Sequence, residues 1–238
     1  MSEQHIVIVG GSSGIGLAAA KRFAGAGFQV TIGGRNASRL AQAAVWLDNK
    51  AKTCVLDAAD PAAVKETFAK IGAFDHLVLA FGSTSGGGAF DSVDMNDVRA
   101  GFEEKVFPHF STAQAALPFL AQRGSITFIA AVTAHAAMPG TAGIGAANAA
   151  VAALVPILAA ELKPRRVNGV SPGVIDTPWW NFLSDEQKAP IFAEYAAKTP
   201  VGRVGSADDI ADAVYFLVGN AFMSGEVVIC DGGLRLGS

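Results

Sequence analysis

Short apolar runs recur along this chain at nearly regular intervals, separated by stretches rich in alanine and leucine. The runs fall at residues 6–9, 30–32, 53–56, 77–80, 126–130, 167–170 and 227–229. Each has the length of a strand, and most gaps have room for a helix. Such alternation builds right-handed strand–helix–strand units and a parallel sheet covered on both faces. We therefore read one α/β domain over residues 1–238, a doubly wound parallel sheet of about seven strands with helices on both faces. The composition agrees: 51% of residues are hydrophobic, only 16% are charged and the mean hydropathy is +0.36. Strands buried on both sides require such richness. Two segments break the rhythm. Residues 83–88 (Ser-Thr-Ser-Gly-Gly-Gly) read as a flexible loop. Residues 177–200 form an insertion carrying Trp179, Trp180, Phe182, Phe192 and Tyr195.

Several functional classes recede at this level. The formal charge of -3 and the pI of about 5.8 give no basic stripe for a nucleic acid. The two cysteines, Cys54 and Cys230, stand alone in expected strands, so neither a disulfide framework nor a metal site is expected. The most membrane-like stretch, residues 146–160, is shorter than the ~20 residues of a span and contains Asn148 and Pro156. It reads as a core helix. The polar start Ser2-Glu3-Gln4-His5 carries no secretory signal, so a cytoplasmic protein without membrane partners is expected.

The first apolar run leads into Gly10-Gly11-Ser12-Ser13-Gly14-Ile15-Gly16 and then a helix. Glycines at a strand-to-helix turn let backbone N–H groups approach a pyrophosphate, and the helix start adds favourable partial charge. Gly10, Ser12, Ser13, Gly14, Ile15 and Gly16 are thus candidate dinucleotide contacts. The second run ends at Gly33-Gly34-Arg35. An acid there would hold a ribose 2′-hydroxyl; Arg35 instead suits a 2′-phosphate, through its planar, permanently charged fork. NADP(H) is therefore the expected cofactor. Asn36 either adds a hydrogen bond to it or caps the next helix.

With these motifs in place the chain resembles the short-chain dehydrogenases/reductases, which have a Rossmann-type fold. The likeness runs through residues 9–16, Leu56-Asp57, residues 75–82, residues 166–178, residues 200–205 and Asp231-Gly232-Gly233. It implies that Pro172, Gly173, Ile175 and Thr177 flank the nicotinamide and that Asp57 sits beside the adenine. The turn Leu79-Ala80-Phe81-Gly82 corresponds to the family's Asn-Asn-Ala-Gly, which puts Ala80 and Gly82 against the cofactor. The aromatic insertion corresponds to the substrate lid and suggests an apolar small-molecule substrate. The helices around 96–121 and 145–163 correspond to the family's subunit contacts, so a homodimer or homotetramer is expected.

The resemblance breaks in the catalytic half. The family's proton-donating tyrosine falls at Ile144, its lysine at Asn148, its serine at Ala131 and its asparagine at Lys105. Neither Ile144 nor Ala131 can pass a proton or hold a carbonyl oxygen through its side chain. Lysine and asparagine have traded places. Val98, Phe102, Lys105, His109 and Ala113 share one helical stripe, and Ile144, Asn148, Val151, Val155, Leu158 and Leu162 share another. Lys105 is therefore expected to supply a cation near the nicotinamide ribose or the substrate oxygen, with Asn148 orienting it. His135, shortly after the fifth run, is a candidate replacement acid, as is Thr133, whereas His109 reads as a packed core residue. Two functions follow from these residues. One is an NADP(H)-dependent oxidoreductase acting on a small carbonyl or alcohol through a non-standard site. The other is a catalytically inactive NADP(H)-binding sensor or complex subunit.

Overall fold

Residues 4–237 are described by a computed structural model, so Ser2 and Glu3 of the polar N-terminal stretch lie outside the described residues. Seven strands form one parallel sheet: β1 (His5–Val9), β2 (Gln29–Gly34), β3 (Ala51–Val55), β4 (Phe74–Leu79), β5 (Leu120–Ile129), β6 (Arg166–Pro172) and, last in sequence, β9 (Val227–Cys230). Their order is β3-β2-β1-β4-β5-β6-β9. The order reverses between β1 and β4, and it is beyond the carboxyl ends of such strands that ligands bind.

Strand β1 shows why the sheet needs two covers. Ile6 and Ile8 point to one face and pack with Phe23, Leu40, Ile210 and Val214. Val7 and Val9 point to the other and pack with Phe68, Leu77, Ala113 and Val151. All four β1 side chains are at most 2% exposed, so alternation along the strand feeds two cores. The first core is closed by α1 (Gly14–Gly25), α2 (Ala37–Trp46) and α7 (Ala207–Gly219); the second by α3 (Pro61–Ile71), α4 (Met95–Ala116) and α5 (Ala142–Glu161).

Three elements escape the sequence pattern. Strand β7 (Ile175–Asp176) pairs in parallel with β8 (Gly205–Ser206) and closes the base of the aromatic insertion. Within the insertion lies a helix, α6 (Asp185–Lys198), started by a capping box in which Ser184 and Gln187 bond each other's backbone N–H. Helix α5 is long and apolar enough to cross a membrane. Its inner residues Ala147, Asn148, Val151 and Val155 are buried in this fold, and Ile157 on its outer side is 59% exposed.

Candidate active site

The glycine turn is shaped by contacts that a side chain would destroy. Gly10 has φ of +85°, and a Cβ there would lie 2.5 Å from the carbonyl oxygen of Ala80. A Cβ on Gly16 would collide with the Gly10 carbonyl. The N–H groups of Gly10 and Gly11 both donate to Gly33, at 2.8 and 3.2 Å, which ties the turn to β2. Ser13 begins α1 without a side-chain cap, and the first turn holds no acid. The open N–H groups and positive end of the helix there suit a phosphate. Gly14, at φ +51°, lies against Thr177, whose Cβ would be 3.3 Å from an added Cβ. The aromatic insertion thus begins against the phosphate turn. Gly173 abuts Asp231 and donates its N–H to Cys230 at 3.0 Å, which fixes the Pro172-Gly173 turn, while Ile175 is buried.

At the adenine end Arg35 is exposed, and among the described residues its guanidinium meets no partner. Asn36 proves to be the cap of α2: its Oδ1 accepts the N–H of Arg39 at 3.0 Å and the hydroxyl of Ser38 at 2.7 Å. That oxygen is therefore spent on the helix, and of the two expected roles capping is the one observed. Asp57 accepts the N–H of Ala59 at 3.0 Å and remains exposed. Ala80 donates its N–H to Val9 at 2.8 Å, so the turn ending at Gly82 stands beside the glycine turn.

Lys105 is only 6% exposed. Its Nζ donates to the carbonyls of Ile129 at 2.9 Å, Phe81 at 3.4 Å and Ala130 at 3.5 Å. It lies 3.6 Å from where a Cβ on Gly82 would sit, so the cation is directly beneath the turn expected to face the cofactor. Burial pulls its ammonium down to about 7. One turn further, His109 is fully buried and its Nδ1 donates to the Lys105 carbonyl at 2.6 Å, as befits a core residue. Burial first, and the Lys105 charge second, hold His109 down to about 3.

Two expectations need correction. Asn148 does not hold Lys105. Its Nδ2 donates to Thr133 Oγ1 at 3.1 Å and to the Ile144 carbonyl at 2.9 Å, and its Oδ1 is buried without a partner. Backbone carbonyls at the ends of β4 and β5 orient the lysine instead. Thr133 Oγ1 accepts that bond and keeps its own hydroxyl proton. Nor is the segment 83–88 a free loop. Ser83 donates to Glu104 Oε2 at 2.5 Å, Ser85 Oγ reaches the same oxygen at 3.2 Å, and Gly86 N–H donates to Asp97 at 2.7 Å. Trp179 Nε1 donates to the Ser83 carbonyl at 3.1 Å, and Ile144 N–H donates to the Gly86 carbonyl at 3.0 Å. The loop so joins α4, α5 and the insertion. Glycine-rich composition hid this because every partner is distant in sequence. In the insertion Trp179, Trp180, Phe182 and Phe192 form one aromatic cluster, with ring centroids 4.8 to 6.0 Å apart.

His135, the third catalytic candidate, is exposed, and its Nε2 lies 3.0 Å from Ser171 Oγ. The fixed partner Ser171 went unnoticed in the sequence, where it is one more small residue before Pro172. Ala131, which the resemblance sets at the family's serine position, supplies no polar side-chain atom.

The comparisons with known proteins agree with this geometry. A family model described as enoyl-(acyl carrier protein) reductase matches residues 9–235. The chain is 32% identical to the 3-oxoacyl-(acyl-carrier-protein) reductase FabG of Escherichia coli, covering 97% of this chain and 96% of that protein. It is also 32% identical to an uncharacterised oxidoreductase of Mycobacterium tuberculosis, over 98% of this chain and 93% of the relative. Among solved structures, a small-chain dehydrogenase in complex with NADPH superposes with a TM-score of 0.87 at 30% identity, covering 99% of this chain and all of that one. With that match running through nearly every residue of the glycine turn, the sheet and the helices around it, the chain belongs to the short-chain dehydrogenase/reductase family of oxidoreductases.

Proposed function

We propose that the protein is an NADP(H)-dependent oxidoreductase acting on a small carbonyl or alcohol, with Lys105 supplying the charge that a tyrosine–lysine pair supplies in relatives. The observation that carries this reading is the buried ammonium of Lys105, held by three carbonyls directly beneath Gly82. Burying a cation is costly, and a chain keeps one where chemistry needs it. The dinucleotide fits the residues present: an uncapped helix start, glycines where a Cβ would collide, and an unpaired Arg35. NADP(H) when bound supplies or accepts the hydride. Arg35 takes the 2′-phosphate, and the backbone at residues 12–16 takes the pyrophosphate. The orphaned Oδ1 of Asn148 accepts a hydroxyl donor of the ligand, since a buried acceptor without a partner is otherwise unfavourable. Lys105, poised to about 7, holds a proton near neutral pH that it can release as the substrate oxygen gains charge. The Trp179–Trp180–Phe182 cluster favours an apolar substrate.

A second copy of the chain is proposed to cover the outer faces of α4 and α5, where Phe107, Phe110 and Ile157 are 54%, 49% and 59% exposed. The cofactor reading is tested by titrating the purified protein with NADPH and NADH, followed by tryptophan fluorescence. Tighter binding of NADPH by about tenfold or more is expected. Affinity for neither, or a preference for NADH, overturns it. Incubation with NADPH and a panel of ketones and aldehydes tests turnover. Binding without turnover, unchanged by Lys105→Ala, would favour the non-catalytic sensor or complex subunit, a reading that Ile144 and Ala131 support.

A further inference from the structure

Four histidines occur in the chain, and only one presents a free ring nitrogen at the surface. His5 has both nitrogens engaged, by Ala73 and Thr31. His76 and His109 are 4% and 0% exposed. His135 is exposed, one of its nitrogens is anchored, and among the described residues the other has no partner. Its place in the fold is specific. After β5 the chain makes a short 3-10 turn, Val132–Ala134, and the N–H of His135 closes back on Val132 at 2.8 Å. The end of β5 is stitched to β6 by Ala130 N–H donating to Val170 at 2.9 Å, one residue before Ser171. The ring of His135 thereby lies over the carboxyl end of β6, beside the Pro172-Gly173 turn. The same end of β5 supplies the carbonyls of Ile129 and Ala130 that hold Lys105.

We propose that His135, fixed by Ser171, is the donor that binds the substrate's oxygen, replacing the hydroxyl that Ala131 lacks. The inference rests on the reading of the chain as a carbonyl or alcohol oxidoreductase. Ser171 is fully buried, and its hydroxyl has one partner among the described residues, His135 Nε2 at 3.0 Å. A buried hydroxyl whose proton has no acceptor is unfavourable, so Ser171 donates and Nε2 accepts. The neutral ring then carries its proton on Nδ1, which becomes a donor on an exposed side chain. A neutral imidazole held in that tautomer polarises a carbonyl oxygen without itself giving up a proton. Ser171 is a positioning residue: it touches no substrate and sets which nitrogen bears the hydrogen.

Two measurements test this, the first of them without cofactor. Nitrogen-15 NMR of the ring at alkaline pH, where imidazole is neutral, is expected to show Nδ1 protonated in the wild type. The proton should shift to Nε2 or divide between both nitrogens in Ser171→Ala. An Nε2-protonated wild-type ring, or a ring unaffected by Ser171→Ala, overturns the proposal. The second uses benzamide, a carbonyl compound that hydride does not reduce, on the NADPH-loaded protein. His135→Phe should weaken benzamide by about tenfold, Ser171→Ala by a few-fold, and His135→Gln should restore part of the loss because it keeps a donor. NADPH affinity should fall far less than benzamide affinity in all three, since none lies at residues 10–16 or at Arg35. Equal benzamide affinity in wild type and His135→Phe, or no benzamide binding to the loaded wild type, also overturns it. Should NADPH itself fail to bind, the reading of the chain as an NADP(H) enzyme fails, and the ring tautomer still decides whether Ser171 fixes His135.

Discussion

The two halves of the cleft are built in different ways. The half made by β1, α1 and β2 consists almost wholly of backbone: Gly10, Gly14 and Gly16 matter for what they lack, and the helix start needs no side chain. The half made by α4, β5 and α5 depends on side chains, and the resemblance implies that each position carrying the family's chemistry holds a different residue here. A backbone cradle tolerates little variation, because a Cβ at Gly10 or Gly16 collides with a carbonyl. A side-chain site can be rebuilt by moving one charge to a neighbouring helix, as we propose for Lys105 on α4 and Asn148 on α5. The difference teaches that cofactor capture and substrate chemistry are separable in this fold, and the variants below probe that separation.

The largest effect is expected in the rebuilt half. Lys105→Met keeps the length and apolar stem of the side chain and removes the cation. NADPH oxidation with whichever carbonyl compound the protein reduces should fall by ~10²–10⁴-fold, the usual worth of a positioned proton donor. NADPH affinity should change far less, because Arg35 and the glycine turn remain. Equal losses of both would show that the two halves are one unit. Next comes Gly10→Ala, set beside Gly27→Ala. Both glycines have φ of +85°, but nothing lies within 4 Å of a Cβ at Gly27, whereas Ala80 blocks one at Gly10. Gly27→Ala should cost roughly 1 kcal/mol of backbone strain. Gly10→Ala should cost roughly 2–4 kcal/mol and abolish dinucleotide binding. Urea unfolding read against cofactor titration separates the two, and equal costs would mean that the turn yields easily. Third is Arg35→Ala. It should reduce the preference for NADPH over NADH by about 10–100-fold and leave NADH affinity nearly unchanged. A uniform loss for both cofactors would place Arg35 elsewhere than on the 2′-phosphate.

Sequence reasoning read the backbone half better than the side-chain half, and the reason is physical. Strand periodicity and a glycine turn are local signals, so β1, β2, β4, β6 and the turn at residues 10–16 stand where the pattern puts them. Strand β5 begins at Leu120, six residues before the apolar run, because Gln122, Arg123 and Gly124 interrupt its hydrophobic character. The β7–β8 pair is two residues long on each side, too short for any period. Helix α6 does carry a local signal, since Ser184 and Gln187 have capping-box spacing. In the catalytic half, helical spacing correctly placed Lys105 and Asn148 on buried stripes. Spacing says nothing about which acceptor a buried ammonium will find. Three carbonyls from β4 and β5 took that role, which no pairing of side-chain types foretells.

The smallest effect, taken per pH unit, reads Lys105 without any substrate. Its ammonium ordinarily loses its proton near 10.5, and burial brings this to about 7 in the folded chain. Below about 7 both folded and unfolded chains carry the proton, and the burial penalty is constant. Between about 7 and 10.5 the unfolded chain binds a proton that the folded chain lacks, so stability rises with pH. Above 10.5 neither state holds it and the rise ends. The slope contributed is at most about 1.4 kcal/mol per pH unit. Urea unfolding of wild type and Lys105→Met at pH 7, 8, 9 and 10 isolates it, because every other titrating group cancels in the difference. Wild type should gain on the variant with each step upward. A flat difference would mean that Lys105 keeps its full charge in solution, hydrated in the cleft. The rebuilt half would then hold an ordinary surface cation, unable to release a proton near neutral pH.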